Sequence, residues 1–322
     1  MTLASLKSDD NPTLLNAFPS WERQIVSRGC SSFQSVTAIE VDSRDRLWVL
    51  DEGKDNCPPK LIIIDLNNNQ FVSQSDLPIP SANAKLWNMV VDLEGGEYAY
   101  ISNSHPNEPG ILVYNFNTKS WTRTWHSTMN PDPDFTKFIV GNIDGKYGIS
   151  AIALSPTANG DRFLYYSPLS SYKVYKVSTK SLKSNANNSY LLQVDTVGRI
   201  PSPASSMTIP NDGKFKGNIF FSFVENHAVS MYDWQAKRFE IGQRNILNDG
   251  KFIQYPMSLS IAPGGVLLIL NSRIHPLDRN PVDISKANFM VYLLDLNEIK
   301  NSANNLQVQF LSVVALIVLT FF

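Results

Sequence analysis

The sequence predicts an all-β fold, a β-propeller of four-stranded antiparallel blades. Three observations predict it. A unit of short strands recurs along the chain, its first strand beginning near residues 36, 87, 149, 205 and 257. Repeats of about 50 to 60 residues suit propeller blades with elaborated loops. No helical period is sustained and strands do not alternate with helices, which argues against a doubly wound sheet. Charged residues make up only 18% of the 322-residue chain while apolar residues make up 43%, so polar turns replace long salt-bridged helices at the surface.

The elements follow in order. In the first unit, strands are expected at residues 36–42, 47–51, 60–65 and 70–75, the third being the near-continuous apolar run Lys60-Leu-Ile-Ile-Ile-Asp65 of a strand buried on both faces. The second unit has strands at 87–92, 97–102, 110–115 and 120–126, and the third at 148–154, 162–167, 172–177 and 191–197. The fourth has strands at 205–209, 218–224, 228–234 and 239–244, and the fifth at 258–261, 265–271 and 289–295. These are five recognisable blades. A sixth has to come from residues 1–30, with one outer strand at 21–26, together with the C-terminal stretch. The chain is thus divided into a blade remnant at 1–30, a propeller at 31–300 and a hydrophobic tail at 301–322.

The two ends differ in character. Residues 1–10 contain no apolar core of a signal peptide. Residues 310–322 are apolar except for Ser312 and Thr320, too short for the roughly 20 residues of a spanning helix. Their length suits the removable tail of a GPI signal, with Asn301, Ser302 and Ala303 as small residues before it. The other reading is a final buried strand, since Val, Ile and Phe also favour sheets.

Composition narrows the function. Net charge is −1 and no Lys/Arg run exists, so a nucleic-acid partner is not expected. Two cysteines and four scattered histidines supply no metal-binding spacing, and no metal or cofactor is expected. No serine lies in a G-x-S-x-G elbow. Propellers bind ligands where inner strands and top loops converge. The polar residues near strand ends are therefore the candidates for one small-molecule ligand: Asp51, Asp92, Asn103, Ser167, Glu225, Asn226 and Asn271. Each is also an ordinary turn or cap residue. The one usable glycosylation sequon is Asn187-Asn188-Ser189.

Several segments carry a resemblance. They include Cys30-Ser-Ser-Phe-Gln-Ser-Val36, Arg46-Leu-Trp-Val-Leu-Asp-Glu-Gly53 and Cys57-Pro-Pro-Lys-Leu61. Pro131-Asp-Pro133, Gly148-Ile-Ser-Ala-Ile-Ala-Leu-Ser-Pro156, Leu164-Tyr-Tyr-Ser-Pro-Leu169, Phe220-Phe-Ser-Phe-Val224, Gln254-Tyr-Pro256 and Asn271-Ser-Arg273 follow in order. Over residues 10–300 the chain resembles the yellow / major royal jelly protein family of arthropods. The resemblance implies a secreted, six-bladed propeller whose N-terminal part is a signal peptide and most of one blade. That blade is expected to be incomplete in this chain. It leaves Cys30 and Cys57 to bridge a loop of about 27 residues, worth about 3 kcal/mol, or to remain as two thiols.

The family also implies roles in pigment or cuticle biology. Dopachrome conversion requires proton transfer, for which His105, His227 or Glu225 are the available groups. Amine-binding members use an asparagine and an aromatic where this chain has Ser272 and Ile274, and Ile274 offers no cation–π wall. A structural or nutritive extracellular role is the third implication. The membrane enters only through the C-terminal tail.

Overall fold

The computed structural model describes residues 3–6, 15–54, 56–139, 145–184, 192–233, 239–248, 250, 253–262, 264–273, 288–299 and, as backbone, 313–316. Five four-stranded antiparallel sheets are present, each a simple meander. Blade one contains β3 (Val36–Val41), β4 (Arg46–Asp51), β5 (Lys60–Asp65) and β6 (Gln70–Asp76). Blade two contains β7 (Leu86–Asp92), β8 (Tyr98–Asn103), β9 (Gly110–Asn115) and β10 (Ser120–Thr124). Blade three contains β11 (Ile149–Leu154), β12 (Phe163–Pro168), β13 (Lys173–Ser178) and β14 (Val194–Arg199). Blade four contains β15 (Ala204–Thr208), β16 (Ile219–Phe223), β17 (Ala228–Tyr232) and β18 (Gln243–Asn248). Blade five contains β19 (Tyr255–Ala262), β20 (Val266–Ser272), β21 (Phe289–Asp295) and β22 (Val313–Leu316).

The core consists of the layers between blades. Period-two alternation sends successive side chains of one strand into different layers. Trp48 and Leu50 meet Met89, Ala99 and Ile101 of blade two, whereas Leu47 and Val49 point to the opposite face. Tyr100 and Val113 meet Ile152 and Tyr166 of blade three. Ala151 and Val174 meet Phe221 and Phe223 of blade four. Phe220 and Val229 meet Leu267, Ile269 and Tyr292 of blade five. Strands buried on both faces, such as β5 and β16, are therefore the continuous apolar runs seen in the sequence.

Three sequence expectations are corrected. Among the described residues the blade count is five, not six. Where a sixth blade was expected, the described residues hold only a ribbon of β1 (Ala4–Leu6) and β2 (Leu15–Ala17). Leu3 and Phe18, which flank its strands, pack on the Leu47, Val49, Ile62 and Ile64 face of blade one. The strand expected at 21–26 is instead two 3-10 turns, Trp21–Gln24 and Val26–Arg28. Apolar Trp21, Ile25 and Val26 are spaced as a helical turn, not as a strand. The outer strand of blade four starts at Gln243, because Phe239 turns inward to stack on Tyr232 with ring centroids 4.3 Å apart. Of the hydrophobic tail, for which a final strand was one of two readings, Val313–Leu316 pairs with Phe289–Tyr292 as the fourth strand of blade five.

The inner strands β3, β7, β11, β15 and β19 pack side by side in that order, and no comparable contact joins β19 to β3 among the described residues. Among the described residues the ring is consequently open between blades five and one. On that side Ile39 and Val41 of β3 are 51% and 56% exposed. On blade five, Val266, Leu268, Leu270, Val291 and Leu293 are only half-buried, while the alternate residues Leu267, Ile269, Tyr292 and Leu294 are buried. Replacing Ile269 by Ala is expected to cost about 2–5 kcal/mol and replacing Leu268 by Ala less, because part of its side chain is already exposed. Urea unfolding of the two variants checks the difference.

Glu40 of β3 is half-buried beside the blade-two layer. Burial, with the neighbouring Asp42 charge adding to it, pushes its carboxyl up from 4.5 to about 7. The native state thus holds this proton more tightly than the unfolded chain. The resulting stability is fully present below about pH 4.5 and is lost as pH rises through about 7. Glu40→Gln should flatten that slope, so urea midpoints of variant and parent should diverge between pH 4.5 and 7, with the variant more stable above it.

Candidate functional site

Each inner strand carries a β-bulge near its start. The register shifts between Val36 and Ala38, Leu86 and Met89, Ile149 and Ala151, Ala204 and Ser206, and Pro256 and Ser258. A bulge leaves residues outside the ladder and re-aims them. The displaced residues here are Thr37, Trp87 with Asn88, Ser150, Ser205 and Met257. The carbonyls of Ser150 and Ser205 collect side-chain donors from blade two. Asn88 Nδ2 donates to the carbonyls of Ser150 at 3.1 Å and Ser205 at 2.9 Å. Trp87 Nε1 donates to Ser205 O at 2.9 Å. Ser102 Oγ donates to Ser150 O and Ser150 Oγ to Ala204 O, each at 3.0 Å. Trp87 and Asn88 of blade two reach blade four directly, so their bonds cross the axis.

Next to these bonds, and sharing Trp87 with them, lies an aromatic mouth. Trp87, Tyr147, Tyr172 and Tyr255 surround Phe135, Phe138, Leu169 and Val224. Phe135 and Phe138 belong to a strap, residues 131–139, that runs over the mouth. They are nearly fully buried, with rings 4.9 Å apart edge to face. The carboxylate in this apolar setting is Glu225, 6% exposed. It accepts from Tyr172 Oη at 3.0 Å and from the Ile139 backbone N–H at 2.9 Å. Burial and the Glu225 charge push the Tyr172 phenol up to about 12. The phenol thus keeps its proton and donates it to Glu225. Glu225 stands in the turn between β16 and β17, its own N–H held by Ser202 Oγ at 2.9 Å.

The residues chosen from the sequence separate into groups. Asp51, Asn103 and Asn271 lie at the upper ends of second strands, but all clamp backbone. Asp51 accepts from the N–H groups of Gln34, Ser35 and Gly53 at 2.8–2.9 Å and pairs with Lys60 at 3.4 Å. Asn103 Oδ1 accepts from Lys85 N, and its Nδ2 donates to the carbonyls of Asn83 and Glu108. Asn271 Oδ1 accepts from Gln254 N at 3.0 Å. Buried Ser167 donates to Lys173 O at 2.9 Å.

Asp92 does not join that ring. It pairs with Tyr98 at the far end of β7, where its partners are Arg162 at 2.7 Å and Lys183 at 2.9 Å. The expectation treated ends of first and second strands alike, but in an antiparallel hairpin these lie at opposite ends of the blade.

His105 and His227 stand on different blades. His105 Nδ1 accepts from the N–H groups of Asn107 and Glu108 at 3.3 and 3.2 Å, as a turn cap. His227 Nδ1 lies 2.5 Å from Gln254 O, and its ring meets Tyr255 edge to face. Asn226 is exposed at the turn between Glu225 and His227, and Ser272 is buried at the end of β20. Ile274 and Asn187 lie outside the described residues. Sequence reasoning missed Trp87, Asn88, Tyr172 and Tyr255; the one available signal for Trp87 and Asn88 was the broken alternation at the start of β7.

A second hollow of about 380 Å³ opens between blades one and two, lined by Glu52, Gly53, Lys54, Ser81, Ala82, Ala84 and Lys85. Burial raises the Glu52 carboxyl while Lys85 pulls it back, and Glu52 already accepts from Leu86 N at 3.0 Å. Beside it Cys30 and Cys57 form a disulfide with Cα atoms 5.1 Å apart. Gly53 has φ +75°, and a side chain there would strike the Cys57 carbonyl. Among the described residues no three His, Cys, Asp or Glu side chains gather as a metal site. No helix of the described residues is long and apolar enough to cross a membrane.

Residues 34–304 match the family model of the major royal jelly proteins. The chain belongs to that family. It is 30% identical to major royal jelly protein 7 of Apis mellifera over 246 residues, covering 72% of this chain and 54% of that protein. It is 26% identical to protein yellow of Drosophila madeirensis over 299 residues, covering 87% of this chain and 52% of that protein. The chain thus spans about half the length of these two curated relatives. A chain in a crystal structure of a nidogen/laminin complex shares the fold, with TM-score 0.54, 10% identity and coverage of 91% and 85% of the two chains.

The Asp51–Lys60 pair is fully buried, and Lys60 Nζ also donates to the carbonyls of Cys30 and Ser32 at 2.6 Å. Asp51→Ala leaves that ammonium without a counter-charge and is expected to cost about 3–5 kcal/mol. Chemical denaturation measures the loss.

Proposed function

We propose that this member of the royal jelly and yellow family is an extracellular protein that binds a small cationic aromatic molecule at the propeller mouth, within pigment or cuticle biology. One observation carries the reading: a buried carboxylate, Glu225, accepts from Tyr172 and follows Val224 of the cluster on which Trp87, Tyr172 and Tyr255 pack. A carboxylate supplies a counter-charge and aromatic faces attract a cation. The disulfide supports an oxidising, extracellular setting. This arrangement differs from the Ser272 and Ile274 positions expected from the family.

Binding is better supported than catalysis. Proton transfer favours a group that titrates near working pH. The Tyr172 phenol is held near 12, and Nδ1 of both His105 and His227 is engaged with backbone. Dopachrome conversion is therefore the second outcome to test.

Calorimetry with tyramine, a phenol bearing an ammonium, should give a saturable signal. Uncharged 4-ethylphenol should bind at least about tenfold more weakly, and Glu225→Gln should erase that difference. Absence of saturable binding by both compounds overturns the reading. Accelerated dopachrome decay that is lost in His227→Ala replaces binding with catalysis.

A further inference from the structure

The strap occupies the place that a ligand would need. Phe135 and Phe138 fill the space between Trp87, Tyr147, Tyr172 and Tyr255. Phe135 lies 5.7 Å from the Tyr172 ring. The Ile139 N–H occupies Glu225 Oε1, while Tyr172 occupies Oε2. Each carboxylate oxygen thus already accepts one bond, and a ligand's ammonium would compete with these donors.

The strap is fastened at its other end by charge. Asp132 pairs with Lys173 at 2.9 Å, and the Asp132 N–H donates to Ser170 O at 2.9 Å. Asp132 Oδ1 also accepts from Asp134 N at 3.1 Å. Against the upward pull of burial, Lys173 and the Asp134 N–H hold the Asp132 carboxyl below its ordinary range. Arg199, Asp134 and Tyr175 are the other ionisable groups facing this pair. The pair is partly exposed on its lysine side, with 31% of that side chain accessible. Salt therefore weakens it. Ile139, by contrast, is 71% exposed, so its end of the strap rests on the Glu225 bond and the two phenylalanines.

We infer that residues 131–139 are a built-in competitor for the mouth: the Ile139 N–H occupies Glu225 in the free protein, the Asp132–Lys173 pair latches the strap, and a cationic ligand enters by displacing it. This rests on the ligand reading of the mouth. It sets the order of events, since the strap must release Glu225 before an ammonium takes its place. It also makes apparent affinity depend on the fraction of open mouths.

The test uses the full chain, with hydrogen exchange by mass spectrometry and stopped-flow binding of tyramine. Asp132→Asn keeps the turn acceptor but removes the charge. It should raise exchange of the 135–139 amides about tenfold while blade amides stay protected. Ile139→Pro removes the N–H that competes for Glu225 and leaves the carboxylate intact. It should strengthen tyramine binding, chiefly through faster association. In the parent protein, 0.5 M salt should act on strap exchange in the direction of Asp132→Asn. Strap exchange unchanged in Asp132→Asn, or a strap that stays protected with tyramine bound, overturns the inference. Faster strap exchange in Asp132→Asn, with no tyramine bound by any variant, removes the ligand reading while supporting the latch.

Discussion

One interaction recurs in every blade and the mouth depends on it. A polar side chain ties the upper end of the second strand to the chain entering the first. Asp51 holds Gln34 and Ser35, Asn103 holds Lys85, Ser170 holds Tyr147 and Asn271 holds Gln254. In blade four the polarity is reversed, with Ser202 holding the N–H of Glu225. Each clasp satisfies a backbone donor that the ladder leaves unpaired, so each fixes where the following bulge begins. The bulges turn carbonyls and the Trp87 and Asn88 side chains toward the axis. The reversed clasp of blade four has a further effect. It leaves the Glu225 side chain outside the clasp and available to the mouth.

Much of the fold was legible because strand period and turn chemistry are local. Residues 60–65 lie between blade two and the N-terminal ribbon, residues 219–223 lie between two neighbouring blades, and both read as uninterrupted apolar strands. Polar turns with left-handed residues, including Asp45, Asn69, Lys119 and Asn159, separate them. The site was less legible. Asp51, Asn103 and Asn271 carry polar groups suited to a ligand, yet in the fold backbone groups from distant parts of the sequence already engage them. Asp92 looked equivalent to them until the hairpin placed it at the opposite end. Glu225 was visible as a strand-end carboxylate. Its partners Tyr172 and Ile139 lie 53 and 86 residues away, a distance that no local pattern spans.

The open side of the ring explains where the energetics differ. Between neighbouring blades, alternate side chains are buried from both directions and ion pairs bridge the lower ends, as Arg46 with Glu97 and Arg162 with Asp92. Across the opening, the ribbon covers only the second and third strands of blade one, while β3 leaves Ile39 and Val41 exposed. Blade five retains a half-buried apolar face with no layer of its own among the described residues.

The bonds of Trp87 and Asn88 have a mechanical consequence. They tie blade two directly to blade four, while blade three is packed against both. The three blades are therefore joined twice, through their apolar layers and through the bulges. A displacement at one of these bulges is passed to the other two without travelling through the layers.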